Sequence, residues 1–167
     1  GTALPQNLNV PGANLRRVTQ STDFLHNVNA YVEGALPYEM VPLRKGDRVA
    51  VIGGGNVAMD AARTAQRLGG DVTVIYRRTQ EEMPAIKSEY EDAVKEGVKF
   101  MWKTNSIEFL GNEKGRVRAI RLATPDGEHT VEFDRVFLAI GSRPASRIVG
   151  TTKGIDVDEK GYVIVGD

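Results

Sequence analysis

Arg48-Val49-Ala50-Val51-Ile52-Gly53-Gly54-Gly55-Asn56-Val57-Ala58-Met59-Asp60 is the stretch on which the reading of this chain turns. An apolar run with β-branched residues stops at three glycines, and an alanine-rich segment with helical spacing follows at once. Strand, tight turn and helix in that order bring backbone N–H groups and the positive end of a helix dipole to one point, which attracts a phosphate. Gly53-x-Gly55-x-x-Ala58 matches the dinucleotide fingerprint, with Ala in the permitted third place. Gly53 then makes the turn, Gly55 leaves room for a pyrophosphate against the backbone, and Ala58 lets the helix lie close on the sheet. Gly54 belongs to the same turn.

Three glycines alone could close any strand-to-helix turn, so the context decides. Ala58, Ala61, Ala62, Ala65 and Leu68 share one helical face, and Asp60, Arg63, Thr64 and Arg67 the other. Gly69-Gly70 stands where a left-handed cap ends a helix. Asp71-Val72-Thr73-Val74-Ile75-Tyr76 reads as a second strand of a buried parallel sheet. The unit is βαβ, the context that the fingerprint requires.

Composition narrows the field. A chain of 167 residues suffices for one domain with a real core. Twenty-two basic and 22 acidic residues leave no net charge, so nothing global suggests a nucleic-acid or anionic-membrane partner. The lack of cysteine excludes a disulfide framework, thiolate metal ligands and a redox Cys-x-x-Cys from this chain, and it agrees with a cytoplasmic location. No apolar run approaches the ~20 residues of a membrane span. The leading Gly reads as the start of an excised or processed piece.

Outward from the glycines, residues 1–20 read as a connecting arm, residues 21–150 as the nucleotide-binding domain and residues 151–167 as a truncated return segment. Pro5, Pro11 and Gly12 mark the arm. Ser21-Thr22 signals an N-cap, with Asp23 in the first turn, for a short helix with Phe24, Leu25, Val28 and Tyr31 or Val32 on one side. After the second strand a further helix is expected from Ala85, with Ile86, Tyr90, Ala93 and Val94 on its buried face. Val98 to Trp102 reads as a third parallel strand. The pattern then changes to period two in Ser106–Leu110, Arg116–Ala123 and His129–Phe133, an antiparallel meander hung on the parallel sheet. Arg135 to Ile140 returns as an apolar strand beside the first, and Ile155–Val157 with Tyr162–Val165 suggests a terminal hairpin. The fold class is thus α/β: a Rossmann-type parallel sheet with helices on it and an antiparallel β-meander.

The end of the second strand is the most informative place. An NAD site usually has Asp or Glu there to bind the ribose 2′-OH. Here Tyr76 is followed by Arg77 and Arg78, with no acid before Glu81. Guanidiniums cannot accept from a hydroxyl, but they bind a 2′-phosphate through charge-assisted hydrogen bonds. NADP(H) is therefore expected over NAD(H), against the alternative of a solvated basic turn. Backbone groups of Ile140 and Gly141, where the returning strand ends, are candidates for contact near the nicotinamide half. Met83-Pro84 reads as a rigid turn, and His26 and His129 stand alone, without the partners a metal site needs. Gly166-Asp167 reads as a strand end. No catalytic side chain is expected.

These residues resemble a known family. Ile52 to Arg63, and Val74-Ile75-Tyr76-Arg77-Arg78-Thr79-Gln80-Glu81-Glu82-Met83-Pro84, look like the NADPH-binding domain of the glutamate synthase small (β) subunit and its relatives, FAD-dependent pyridine nucleotide oxidoreductases. Thr22-Asp23-Phe24-Leu25, Val28-Asn29 and Ala139 to Pro144 are similar too. The resemblance implies that Gly53, Gly55, Asn56 and Val57 hold the pyrophosphate and Arg77 and Arg78 the 2′-phosphate. It implies a domain that delivers a hydride from NADPH to FAD, the flavin being held by an FAD domain of the parent chain. Electrons would continue to iron–sulfur centres or a large-subunit-like partner. The family's amino-terminal FAD fingerprint and cysteine clusters are not in this sequence. A non-catalytic module that senses NADP(H) is the alternative. A methyltransferase-like Rossmann site is disfavoured by Arg77-Arg78.

Overall fold

A computed structural model describes residues 10–140. Gly141, the expected hairpin and Gly166-Asp167 lie outside the described residues. Five strands form one parallel sheet: β1 (Val18–Gln20), β2 (Arg48–Ile52), β3 (Asp71–Ile75), β4 (Lys99–Met101) and β8 (Arg135–Leu138). Their spatial order is β1-β8-β2-β3-β4, every neighbouring pair being parallel. Strands β5 (Asn105–Gly111), β6 (Val117–Thr124) and β7 (Gly127–Glu132) form a separate antiparallel sheet.

Alternation along a strand sends successive side chains to opposite faces, so a strand apolar throughout must be covered twice. Val49, Val51, Val72, Val74 and Phe137 meet helices α1 (Ser21–Val32) and α2 (Asn56–Arg67) through Phe24, Ala58, Ala61, Ala62 and Ala65. Phe24 stacks on Phe137 with centroids 4.2 Å apart. On the other face Ala50, Ile52, Ile75, Val136 and Leu138 meet the antiparallel sheet through Phe109, Ile120 and Leu122. The meander is thus the second cover of the parallel sheet. As the sequence leads one to expect, β2-α2-β3 is a parallel βαβ unit and β8 pairs with β2.

Three local readings need correction. Val18–Gln20 is not arm but the edge strand β1, in register with Val136–Leu138. Three residues are too few for periodicity to show, and their partner strand comes from the far end of the chain. Helix α1 is preceded by Gln20 with no side-chain cap, Ser21 is buried within it, and Tyr31 and Val32 are exposed. Helix α3 begins at Lys87 rather than Ala85, and Ile86 and Val94 are exposed, leaving Ala93 as its buried residue.

Helix α3 (Lys87–Lys95) is held less by apolar burial than by charge. Arg63 of α2 reaches Glu89 at 2.8 Å and Glu96 at 3.1 Å, and Arg67 reaches Glu96 at 2.8 Å. The guanidiniums of Arg67 and Arg63 hold the Glu96 carboxyl down to about 2, from an ordinary 4.5. A carboxyl depressed by folding stabilises above its unfolded value and loses that contribution as pH falls through the folded one. Thermal stability should therefore decline between pH 4.5 and about 2, and Glu96→Gln should flatten that decline. Identical melting profiles for variant and parent over this window would refute the assignment.

Candidate functional site

The carboxyl ends of β2, β3 and β8 open into a cleft of about 480 Å³. One wall holds Gly53, Gly54, Gly55, Tyr76, Arg77, Ala139 and Ile140, and the other Thr104, Asn105, Ser106 and Phe109 from the start of the antiparallel sheet. This is the place where open α/β sheets take ligands, at the carboxyl ends of the strands.

Each glycine of the turn has a different reason to be glycine. Gly53 has φ +135°, and a Cβ there would lie 2.8 Å from the carbonyl oxygen of Ala139. Its N–H donates to the Ile75 carbonyl (3.1 Å), while the Ala139 N–H donates to that of Ile52 (2.8 Å), so three strand ends are tied together. At Gly54 a Cβ would meet the Met83 side chain and the Tyr76 ring, both at 2.8 Å. Gly55 has an ordinary φ of −90° and nothing within 4 Å of its missing Cβ. Its neighbourhood is open space on the cleft.

Helix α2 starts beside that space. Its first internal bond is from the Met59 N–H to the Gly55 carbonyl (3.1 Å), so the amides of Asn56, Val57 and Ala58 lack an intrahelical partner. No side chain caps the helix and its first turn has no acid to offset the dipole. Open space at Gly55, free amides and an uncompensated helix end are what a pyrophosphate requires. The side-chain oxygen of Asn56 accepts the Ile86 N–H at 3.0 Å, so its backbone amide is the group it presents without a partner at the helix start. Val57 is 40% exposed and stands outside the cleft lining.

The two arginines after β3 separate. Arg77 is exposed and lines the cleft. Arg78 stands outside the lining, its guanidinium 3.7 Å from the Glu82 carboxylate. Glu82 also accepts from the Thr79 N–H (3.2 Å) and hydroxyl (3.0 Å) in a capping box that opens a short 3₁₀ turn, Gln80–Glu82. Those Thr79 bonds, with Arg78 nearby, hold the Glu82 carboxyl below its ordinary value. Tyr76 Oη donates to the Glu82 carbonyl (3.1 Å), and the amides of Thr104 and Lys103 donate to the carbonyls of Tyr76 (3.0 Å) and Arg78 (2.9 Å). The loop is thus fixed from both sides.

Met83-Pro84, a rigid turn by its sequence, does more in the fold. Met83 is buried against the glycine turn, and the Ala85 N–H donates to the Gly54 carbonyl (3.0 Å). Residues 80–86 therefore strap the basic loop to the glycine turn. No local pattern signals a contact between segments 30 residues apart, nor the contribution of Thr104 to Phe109. Gly141 lies outside the described residues. Among the described residues no His, Cys, Asp and Glu gather as a metal site, and no helix is long and apolar enough to cross a membrane.

The chain is 35% identical to the glutamate synthase [NADPH] small chain of Halomonas elongata, over 92% of this chain and 36% of that protein. It is 33% identical to the glutamate synthase [NADPH] small chain of Escherichia coli K12, over 72% of this chain and 29% of that one. It spans about a third of the length of these relatives. Among solved structures, thioredoxin reductase of Lactococcus lactis superposes with TM-score 0.58 at 20% identity, over 80% of this chain and 40% of that one, a likeness of fold alone. A model of the pyridine nucleotide-disulphide oxidoreductase family matches residues 1–167. With a parallel sheet, a glycine turn and a cleft in the places described, the chain belongs to the pyridine nucleotide-disulphide oxidoreductase family.

Proposed function

We propose that the cleft binds NADP(H), and that the chain is the NADPH-binding domain of a flavin-dependent oxidoreductase like the glutamate synthase small subunit. The observation that carries the reading is Arg77 on the cleft wall at the end of β3, where a carboxylate would select NAD. The open space at Gly55 supports it. In this reading the amides of Gly55 to Ala58 hold the pyrophosphate, Gly53 and Gly54 shape the turn, and Arg77 with Arg78 meets the 2′-phosphate. Ile140 and Gly141 border the nicotinamide half.

When bound, NADPH would supply a hydride, for which FAD held by an FAD domain of the parent chain would be the acceptor. The residues here bind, orient and exclude water, and none acts as acid or base. Onward transfer to iron–sulfur centres or a large-subunit-like partner belongs to the same proposal; for the second of these, the relatives bear the name small chain.

Trp102, the sole tryptophan, packs edge-on to Tyr76 with centroids 6.3 Å apart and so offers an intrinsic probe of the cleft. Titration of the chain with NADPH and NADH should change Trp102 fluorescence, with NADPH binding at least about tenfold more tightly, as one charge-assisted contact predicts. Equal affinities, or no binding, would overturn the reading. A flavin-containing parent chain should then be reduced by NADPH in the absence of oxygen. Binding without flavin reduction would indicate a sensing module.

A further inference from the structure

Ser106 stands out on the cleft wall. Its Oγ is shut off from solvent and has no hydrogen-bond partner among the described residues, although Ser106 itself lines the cleft. A buried hydroxyl left unpaired is destabilising, and a partner that reaches it from the cleft offsets that cost. The strand that carries it is irregular at the same point. Ser106 pairs with Leu122 but Glu108 with Arg121, so β5 has one residue more than β6 between those pairs. Such bulges re-aim side chains and gather beside functional sites. Among the described residues the other orphaned hydroxyl, Ser21, lies in α1 and outside the cleft lining.

Position says what Ser106 would meet. The amides of Lys103 and Thr104 sew the entry to β5 onto the carbonyls of Arg78 and Tyr76. Ser106 is therefore beside the basic loop, at the end of the cleft assigned to the adenosine ribose, while Ala139 and Ile140 lie across β2. We infer that Ser106 is a further binding residue of the cleft, its hydroxyl making a hydrogen bond to the adenosine half of a bound nucleotide. This rests on the NADP(H) reading. A serine needs only a rotation between staggered χ1 wells to address a ligand in the cleft it lines.

The test uses the 167-residue chain, its Ser106→Ala and Arg77→Ala variants, and four probes: 5′-AMP, 2′,5′-ADP, NADPH and NADH. Ser106→Ala should weaken all four by a similar factor, about three- to tenfold, as one neutral hydrogen bond predicts. Its melting temperature without nucleotide should equal or exceed the parent's, because an unpaired buried polar group is gone. Ser106→Thr, which keeps the hydroxyl and suits a strand, should restore 5′-AMP binding. Unchanged 5′-AMP affinity in Ser106→Ala overturns the inference, as does a lowered melting temperature with affinity lost only in proportion to unfolding. Arg77→Ala should spare 5′-AMP and NADH and weaken the two 2′-phosphorylated probes. If Arg77→Ala behaves so and Ser106→Ala changes nothing, only this inference falls. If the parent binds none of the four, the nucleotide reading falls with it.

Discussion

Gly55→Ala is expected to fold as stably as the parent, or slightly more so, and to lose NADPH about 10- to 100-fold. Glycine at φ −90° is in a region open to any residue, and a Cβ there touches nothing within 4 Å. Replacing it restricts the unfolded chain and contributes about 0.4–1 kcal/mol of stability. The same methyl fills the space through which a pyrophosphate would approach the amides of α2. Losing one charge-assisted contact of about 1.5–3 kcal/mol gives the stated factor. Gly53→Ala is the control with the opposite character. Its φ of +135° admits few side chains and its Cβ would overlap Ala139 and Ile140. Backbone strain of about 1–3 kcal/mol and overpacking of about 1–3 kcal/mol make it a folding mutant. Urea denaturation of both variants, followed by NADPH titration of whichever is folded, checks the pair. A Gly55→Ala protein that binds NADPH as the parent does would remove the glycine cradle from the proposal.

The second large effect concerns coenzyme choice. Arg77→Ala should weaken NADPH about 10- to 100-fold and NADH less than about threefold, because the lost partner is a charge-assisted contact to a group that NADH lacks. Arg78→Ala should cost less, about threefold, since the Arg78 guanidinium sits near Glu82 and outside the cleft lining. The double variant should discriminate least between the two nucleotides. Because the arginines are exposed, the NADPH preference should also shrink as salt rises. Equal losses of NADPH and NADH in Arg77→Ala would contradict the 2′-phosphate assignment. A larger effect of Arg78→Ala would reverse the roles drawn from the ion pair.

Much of the fold could be read before any coordinates. Strand β2, helix α2 and strand β3 announce themselves because period and punctuation agree there: β-branched runs, an alanine face, glycines at both turns. The meander showed itself by period two. Edge elements were harder. β1 is too short to carry a pattern, and α3 buries so little that Ile86 and Val94, apolar in sequence, remain exposed. Charge fixes α3 instead, through Arg63, Arg67 and Glu96, and a helical pattern of apolar residues does not report that.

The βαβ unit, the glycine turn and the basic pair after the second strand are legible in the residues alone, because each is a local matter of backbone freedom, periodicity and charge within a few residues. Packing alone sets Arg77 apart from Arg78, ties the basic loop to the glycine turn through Met83 to Ile86, and places Ser106, with its unpaired hydroxyl, on the cleft wall. Those facts depend on segments distant in sequence being brought together, and side chains acquire such neighbours only when the two sheets pack.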